Sequence, residues 1–178
     1  MVEKFLQKVL YCEYFLFTYD PIIAAHWHMD KHVVKMILEY SQIMCTAHHV
    51  LGSPISNDNL YRKTHENHPS SIWVRQGKEN YLWLYKLFCA VCDEYKYRYC
   101  KTHKTDVKLR EILCVVPFNI PQACFTSPPQ AMPDDCKCEH AIRAYRQYYI
   151  RHKSHIAKWK ERNRPYWYVN KNTIDNTI

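Results

Sequence analysis

The sequence predicts an all-α protein: a compact bundle of three long helices plus shorter ones, with a short N-terminal extended segment. Two observations carry that expectation. Glycine is limited to Gly52 and Gly77, too few for the tight turns of β-sandwiches, Gly-rich phosphate loops or dinucleotide fingerprints. Long stretches also place apolar residues three and four apart, the spacing that builds one helical face. A chain of 178 residues, 47% hydrophobic and 24% charged, can bury a core and is not a disordered tail. The expected organisation is an extension over residues 1–13, one helical domain over 14–169 and a frayed tail over 170–178.

Tyr14 to Tyr19 is aromatic and β-prone, suited to an extended segment packed on helices or to one strand. Asp20-Pro21 then starts a helix, with Asp as N-cap and Pro at the first helical position. Its pattern reaches Leu51, and Gly52 stops it. The result, about 30 residues, exceeds the usual 10–14 and leaves room for a kink or break. A polar loop covers Ser53 to His68, and Pro69 opens the second helix, with Tyr81, Leu84, Phe88, Val91 and Tyr95 on its apolar face and Gly77 bending its first turns. A short helix is expected from Thr105 to Cys114, capped by Thr105. Residues 117–133 carry five of the nine prolines and should form an irregular crossover. The last helix is expected from Glu139 to Arg162, burying Ile142, Tyr145, Tyr149, His152, Ile156 and Trp159.

Charge is unevenly placed. Residues 137–171 hold ten basic and two acidic residues, so this stretch carries the whole net charge of +8. A neutral body with a basic C-terminal fifth suits a polyanionic partner, nucleic acid before membrane, or else a solvated basic helix. Trp159, Tyr166, Trp167 and Tyr168 interleave with Lys158, Lys160, Arg162 and Arg164. Aromatic faces stack on bases while cations neutralise phosphates; the same rings could instead dock the tail onto the core. The loop Tyr61 to His68 is polar enough to border the same cleft. No stretch reaches the roughly 18 apolar residues of a membrane span.

Nine cysteines without a convincing signal peptide fit a reducing compartment and mostly free thiols. Cys89-x-x-Cys92 with Cys136-x-Cys138 is a zinc-like set, but Cys89 and Cys92 sit inside a helical pattern. Thiols serving as small core residues are the better reading, and no metal or cofactor is expected.

The first helix carries a polar stripe: His28, His32, Lys35, Glu39, Gln42, Thr46 and His49, spaced alternately four and three apart and so sharing one edge. A solvated edge would be richer in Lys, Glu and Arg. Imidazoles with one carboxylate, one amine and one amide suit proton transfer and hydrogen bonds to a polar substrate. Metal binding by His28, His32 and Glu39 is a rival, but Met29 stands where the helical metalloprotease signature requires Glu. No Gly-x-Ser-x-Gly elbow supports serine chemistry.

Asp30-Lys-His32 with a Glu seven residues later, a second helix opened near His68, and a basic end closing in Arg164-Pro-x-Trp167-Tyr168 resemble the phage-type pyrimidine-dimer DNA glycosylases of the endonuclease V type. They also resemble longer relatives in phages and large DNA viruses. The resemblance implies a small all-α protein acting on double-stranded DNA, with Glu39 as the catalytic carboxylate and His32 contacting DNA. In that family an N-terminal α-amine attacks C1′, the base leaves and a Schiff base forms, with a nucleotide extruded from a bent duplex. This chain departs from the pattern. Val2 replaces the family's threonine, about a dozen residues precede the equivalent segment, and Leu38 and Gln42 replace two arginines. Lys35, one turn before Glu39, is the candidate substitute amine.

The expected function is therefore a DNA-acting N-glycosylase with possible abasic-site lyase activity on damaged or modified pyrimidines. Glu39, His32 and Lys35 are the catalytic candidates. His28, Gln42, Arg143, Arg146, Lys158, Arg164, Trp167 and Tyr168 are the DNA-binding ones. The alternatives are a non-catalytic DNA-binding or virion-associated protein keeping the fold, and a metal-dependent hydrolase. A monomer without membrane attachment is expected, in the cytoplasm or nucleus of an infected host cell or packaged in a virion.

Overall fold

The computed structural model describes residues 16–169. The expected extension over 1–13, the tail over 170–178, and Tyr14 and Phe15 lie outside them. The fold is all-α, with six α-helices among the described residues: α1 (Pro21–His26), α2 (Asp30–Leu51), α3 (Pro69–Arg75), α4 (Lys78–Tyr99), α5 (Lys104–Leu113) and α6 (Ala141–His152). Short 3-10 turns occur at Asn57–Asn59, Asp134–Cys136 and Ser154–Ile156. No strand occurs among the described residues; Leu16 and Phe17 lie outside any helix and are fully buried.

Helices α2 and α4 are the long pair, and α1, α3 and α5 pack on them. The core between them is built from Val33, Met36, Ile37, Tyr40 and Met44 of α2 and from Tyr81, Leu84, Leu87, Phe88 and Val91 of α4. Leu109 and Leu113 close it from α5, and Tyr145 and Tyr149 join it from α6.

The first predicted helix is two helices. Asp20 caps α1 as expected, its Oδ1 accepting from the amides of Ile22 and Ile23. The chain then breaks at Trp27–Met29. The break has partners: the freed carbonyls of His26 and His28 accept from Arg98, and the amide of Asp30 donates to the Lys158 carbonyl. Backbone groups that a continuous helix would pair internally are satisfied by tertiary contacts. Gly52 ends α2 at φ 78°, a left-handed value that glycine adopts without strain. Asn119 covers the last turn, its amide and Nδ2 both donating to the Leu51 carbonyl.

The second predicted helix is likewise split. Gly77 lies between α3 and α4, where a Cβ would meet the Cβ and carbonyl of Ala123 at 3.2 Å. The crossover passes close there because the amides of Lys78 and Glu79 donate to the carbonyls of Pro121 and Ala123, capping α4. Helix α5 is capped by His103, whose Nδ1 accepts from the Thr105 amide, two positions before the expected Thr105 cap.

The last helix is the largest departure. Expected to reach Arg162, α6 stops at His152, and residues 157–162 leave helical geometry, with Glu161 at φ 60°. The tail instead lies across the α1–α2 break, where the Asp30 amide holds the Lys158 carbonyl and Asp30 Oδ1 accepts from the Lys160 amide. Tertiary hydrogen bonds override local helical preference here. Of the expected stripe, Tyr145 and Tyr149 are buried, Ile142, Ile156 and Trp159 are half-buried, and His152 is exposed. No helix among the described residues is long and apolar enough to cross a membrane.

Candidate active site and basic tail

The seven-residue polar stripe does not remain one edge. Its first member, His28, precedes α2 and is fully buried. Its Nδ1 lies 2.7 Å from the Ala24 carbonyl, so that nitrogen must donate; its Nε2 then accepts from the Tyr40 hydroxyl at 2.8 Å. Burial holds this imidazole neutral, lowering its pKa to about 4. It lies beneath the protein surface. At the other end, Thr46 exchanges hydrogen bonds with the backbone of Thr64, and His49 Nε2 donates to the Tyr61 carbonyl. These two residues anchor the 53–68 loop.

Between these ends lie His32, Lys35, Glu39 and Gln42. His32 is buried, and its Nδ1 meets the Tyr149 hydroxyl of α6 at 2.6 Å. Burial is the main cause of its pKa falling to about 2, helped by the positive charges of Lys153 and Lys35. Lys35 on α2 and Lys153, just past the end of α6, thus act on the same imidazole. Two turns along, about 10 Å by helix rise, Glu39 is only 15% exposed, and its Oε1 accepts from Lys35 Nζ at 2.9 Å. Lys35 itself is 53% exposed, less desolvated than the substitute-amine reading expects. Gln42 is half-buried on the next turn. A shielded carboxylate, an amine within proton-transfer distance and a neutral imidazole therefore share one stretch of α2, which α6 meets at His32 through Tyr149.

The basic tail separates into packed and exposed residues. Arg146 donates through Nε and Nη2 to the Phe17 carbonyl and lies 5.3–5.7 Å from the ring centroids of Trp27, Tyr166 and Trp167. Trp167 stacks on Phe17 at 5.4 Å, and Tyr168 is buried against Trp159. Trp159 Nε1 donates to the Trp27 carbonyl. These side chains dock the tail onto the fold. Arg143, Lys158, Lys160, Arg164 and Tyr166 remain exposed.

One buried centre was not anticipated. Arg98 is fully buried; its Nε bonds Glu94 Oε1 at 2.6 Å, and its Nη1 bonds Asp30 Oδ1 at 2.9 Å. Glu94, 1% exposed, also accepts from Nε and Nη2 of Arg162, whose guanidinium lies 4.1 Å from the Tyr97 ring centroid. Burial opposes the Glu94 charge, yet the two guanidiniums win and hold its carboxyl below the usual range. Beside this centre is an open cavity of about 530 Å³, lined by Ile22, His26, Cys89, Asp93, Tyr97 and Arg162 among others. A sequence signal existed: Leu84, Leu87, Val91, Glu94 and Arg98 continue one three-four stripe, so the charges sit where apolar residues belong.

The eight described cysteines are free thiols. Cys89 and Cys92 do not join Cys136 and Cys138. Among the described residues, the one group of three or more His, Cys, Asp or Glu with donor atoms mutually within 4.8 Å is Asp135, Cys136 and His152. No family model, curated protein or solved structure matches the chain.

Proposed function

We propose that the protein is a DNA-acting enzyme of the N-glycosylase type, with Glu39 as its acid/base and Lys35 as its amine. The observation that carries this reading is the shielded Glu39 carboxylate 2.9 Å from the Lys35 amine, on the stretch of helix whose His32 meets the basic α6 through Tyr149. In the proposed step Glu39 takes the Lys35 ammonium proton, leaving a neutral amine. The amine nitrogen attacks C1′ of the target nucleotide and the C1′–base bond breaks. The proton held by Glu39 passes to the departing base. Opening of the sugar ring then gives a Schiff base on Lys35, from which strand scission or hydrolysis proceeds. Neutral His32 contributes no competing positive charge, and the exposed Arg143, Lys158 and Arg164 supply phosphate contacts. His28, Arg146, Trp167 and Tyr168 support the fold in this reading rather than touching DNA. The N-glycosylase chemistry and the DNA substrate rest on the motif resemblance together with this geometry.

Borohydride trapping on a duplex with an abasic site tests the amine. The expected result is a covalent protein–DNA adduct that disappears in Lys35→Ala and persists in Lys31→Ala. An adduct surviving Lys35→Ala removes Lys35 from the role. Salt-sensitive binding with neither adduct nor scission on abasic or damaged duplexes favours the non-catalytic DNA-binding reading.

A further inference from the structure

The 3-10 turn Asp134–Cys136 lies at the end of the proline-rich crossover and packs against α6. It brings three different donor types to one point. His152 Nε2 is 2.9 Å from Asp135 Oδ2, and Cys136 Sγ is 3.7 Å from the same oxygen. All three donor atoms lie within 4.8 Å of one another. A tetrahedral ion with bonds of about 2.0–2.3 Å separates its ligand atoms by roughly 3.3–3.7 Å. The spacing found here approaches that geometry without movement of the backbone.

We propose that Asp135, Cys136 and His152 form a three-ligand site for a divalent transition metal of the zinc type, with its fourth position open to solvent. Donor chemistry favours such an ion over calcium or magnesium, because thiolate and imidazole bind borderline-soft metals while hard cations require oxygen. Exposure of Asp135 (49%) and His152 (39%) leaves room for a water ligand, whereas Cys136 is buried beneath them. On binding, the Cys136 S–H bond is replaced by an S–metal bond and one proton leaves to solvent; His152 ligates as neutral imidazole and Asp135 as carboxylate. Arg151 is an opposing charge in contact with the site, and Lys137 next to Cys136 is engaged with Asp134. Arg151 donates to the Asp135 carbonyl and lies 3.6 Å from Asp135 Oδ2, which orients the carboxylate and weakens cation affinity. The site would tie the irregular crossover to the last helix, and it does not depend on the DNA reading.

The test is titration of the reduced, metal-free full chain with Co²⁺, followed by competition with Zn²⁺. The expected result is a thiolate-to-cobalt charge-transfer band that saturates at one equivalent and is bleached by zinc. Cys136→Ser and His152→Ala should each abolish the band, whereas Cys138→Ser and Cys89→Ser should keep it. Asp135→Asn should weaken affinity by roughly tenfold or more, and Arg151→Gln should strengthen it. His152 and Asp135 are exposed, so their variants report on the site even if Cys136→Ser perturbs folding; circular dichroism checks helicity in each. Absence of the band, its survival in His152→Ala, or its loss in Cys138→Ser would overturn the proposal.

Discussion

Three histidines of one sequence stripe have three different surroundings. His28 spends both ring nitrogens on Ala24 and Tyr40 in the core, His32 is buried against Tyr149, and His49 holds a loop carbonyl. Spacing alone cannot separate these cases, because it gives an angle about the helix axis and not what packs there. Burial of His28 has a consequence for acid stability. Its pKa is about 4 in the native state against 6.5 for an unperturbed histidine. Between these values the unfolded chain takes up a proton that the native state refuses. Stability should therefore fall as pH drops from 6.5 towards 4, by up to about 1.4 kcal/mol per pH unit from this residue, with its contribution levelling off below 4. His32, lowered to about 2, continues the loss to lower pH. Urea unfolding across this range checks the sign, and stability that is flat or rising on acidification would contradict it.

At the scale of elements, the sequence announced the helix boundaries that local chemistry sets and missed those that distant contacts set. Asp20-Pro21, Gly52 and Pro69 act locally, through capping, a left-handed turn and a fixed φ, and all three hold in the structure. The stop of α6 at His152 and the break at Trp27–Met29 have no local signature. Both follow from distant partners: Arg98 takes up the carbonyls freed at the break, about 70 residues away in sequence, and Asp30 holds the tail, about 130 residues away. Arg98 links three of these pieces. Arg98→Met would leave Glu94 buried with one guanidinium fewer and the carbonyls of His26 and His28 without their donor. A loss of about 3–5 kcal/mol is expected, read from denaturant midpoints. A loss under about 1 kcal/mol would mean the ion cluster is incidental to the tail's path.

For the molecule as a whole, the concentration of charge in residues 137–171 was legible as a block. Which cations face outward was not, because that depends on how the tail folds back. Arg146 and Arg162 are committed to Phe17 and Glu94, while Arg143, Lys158 and Arg164 are exposed. If the exposed set contacts phosphates, neutralising each should weaken DNA binding similarly across sequences and reduce the slope of log affinity against log salt by about 1. Equal slopes for wild type and the triple variant would move the nucleic-acid surface elsewhere.

The central claim is that the Glu39 carboxylate on α2 does chemistry on DNA bound along the basic tail. Its most direct test compares wild type and Glu39→Gln for base release and strand scission on damaged and abasic duplexes, with affinity measured on the same substrates. The account predicts activity in the wild type, a fall of roughly a hundredfold or more in the variant, and affinity that changes little. Undiminished scission by Glu39→Gln would contradict it.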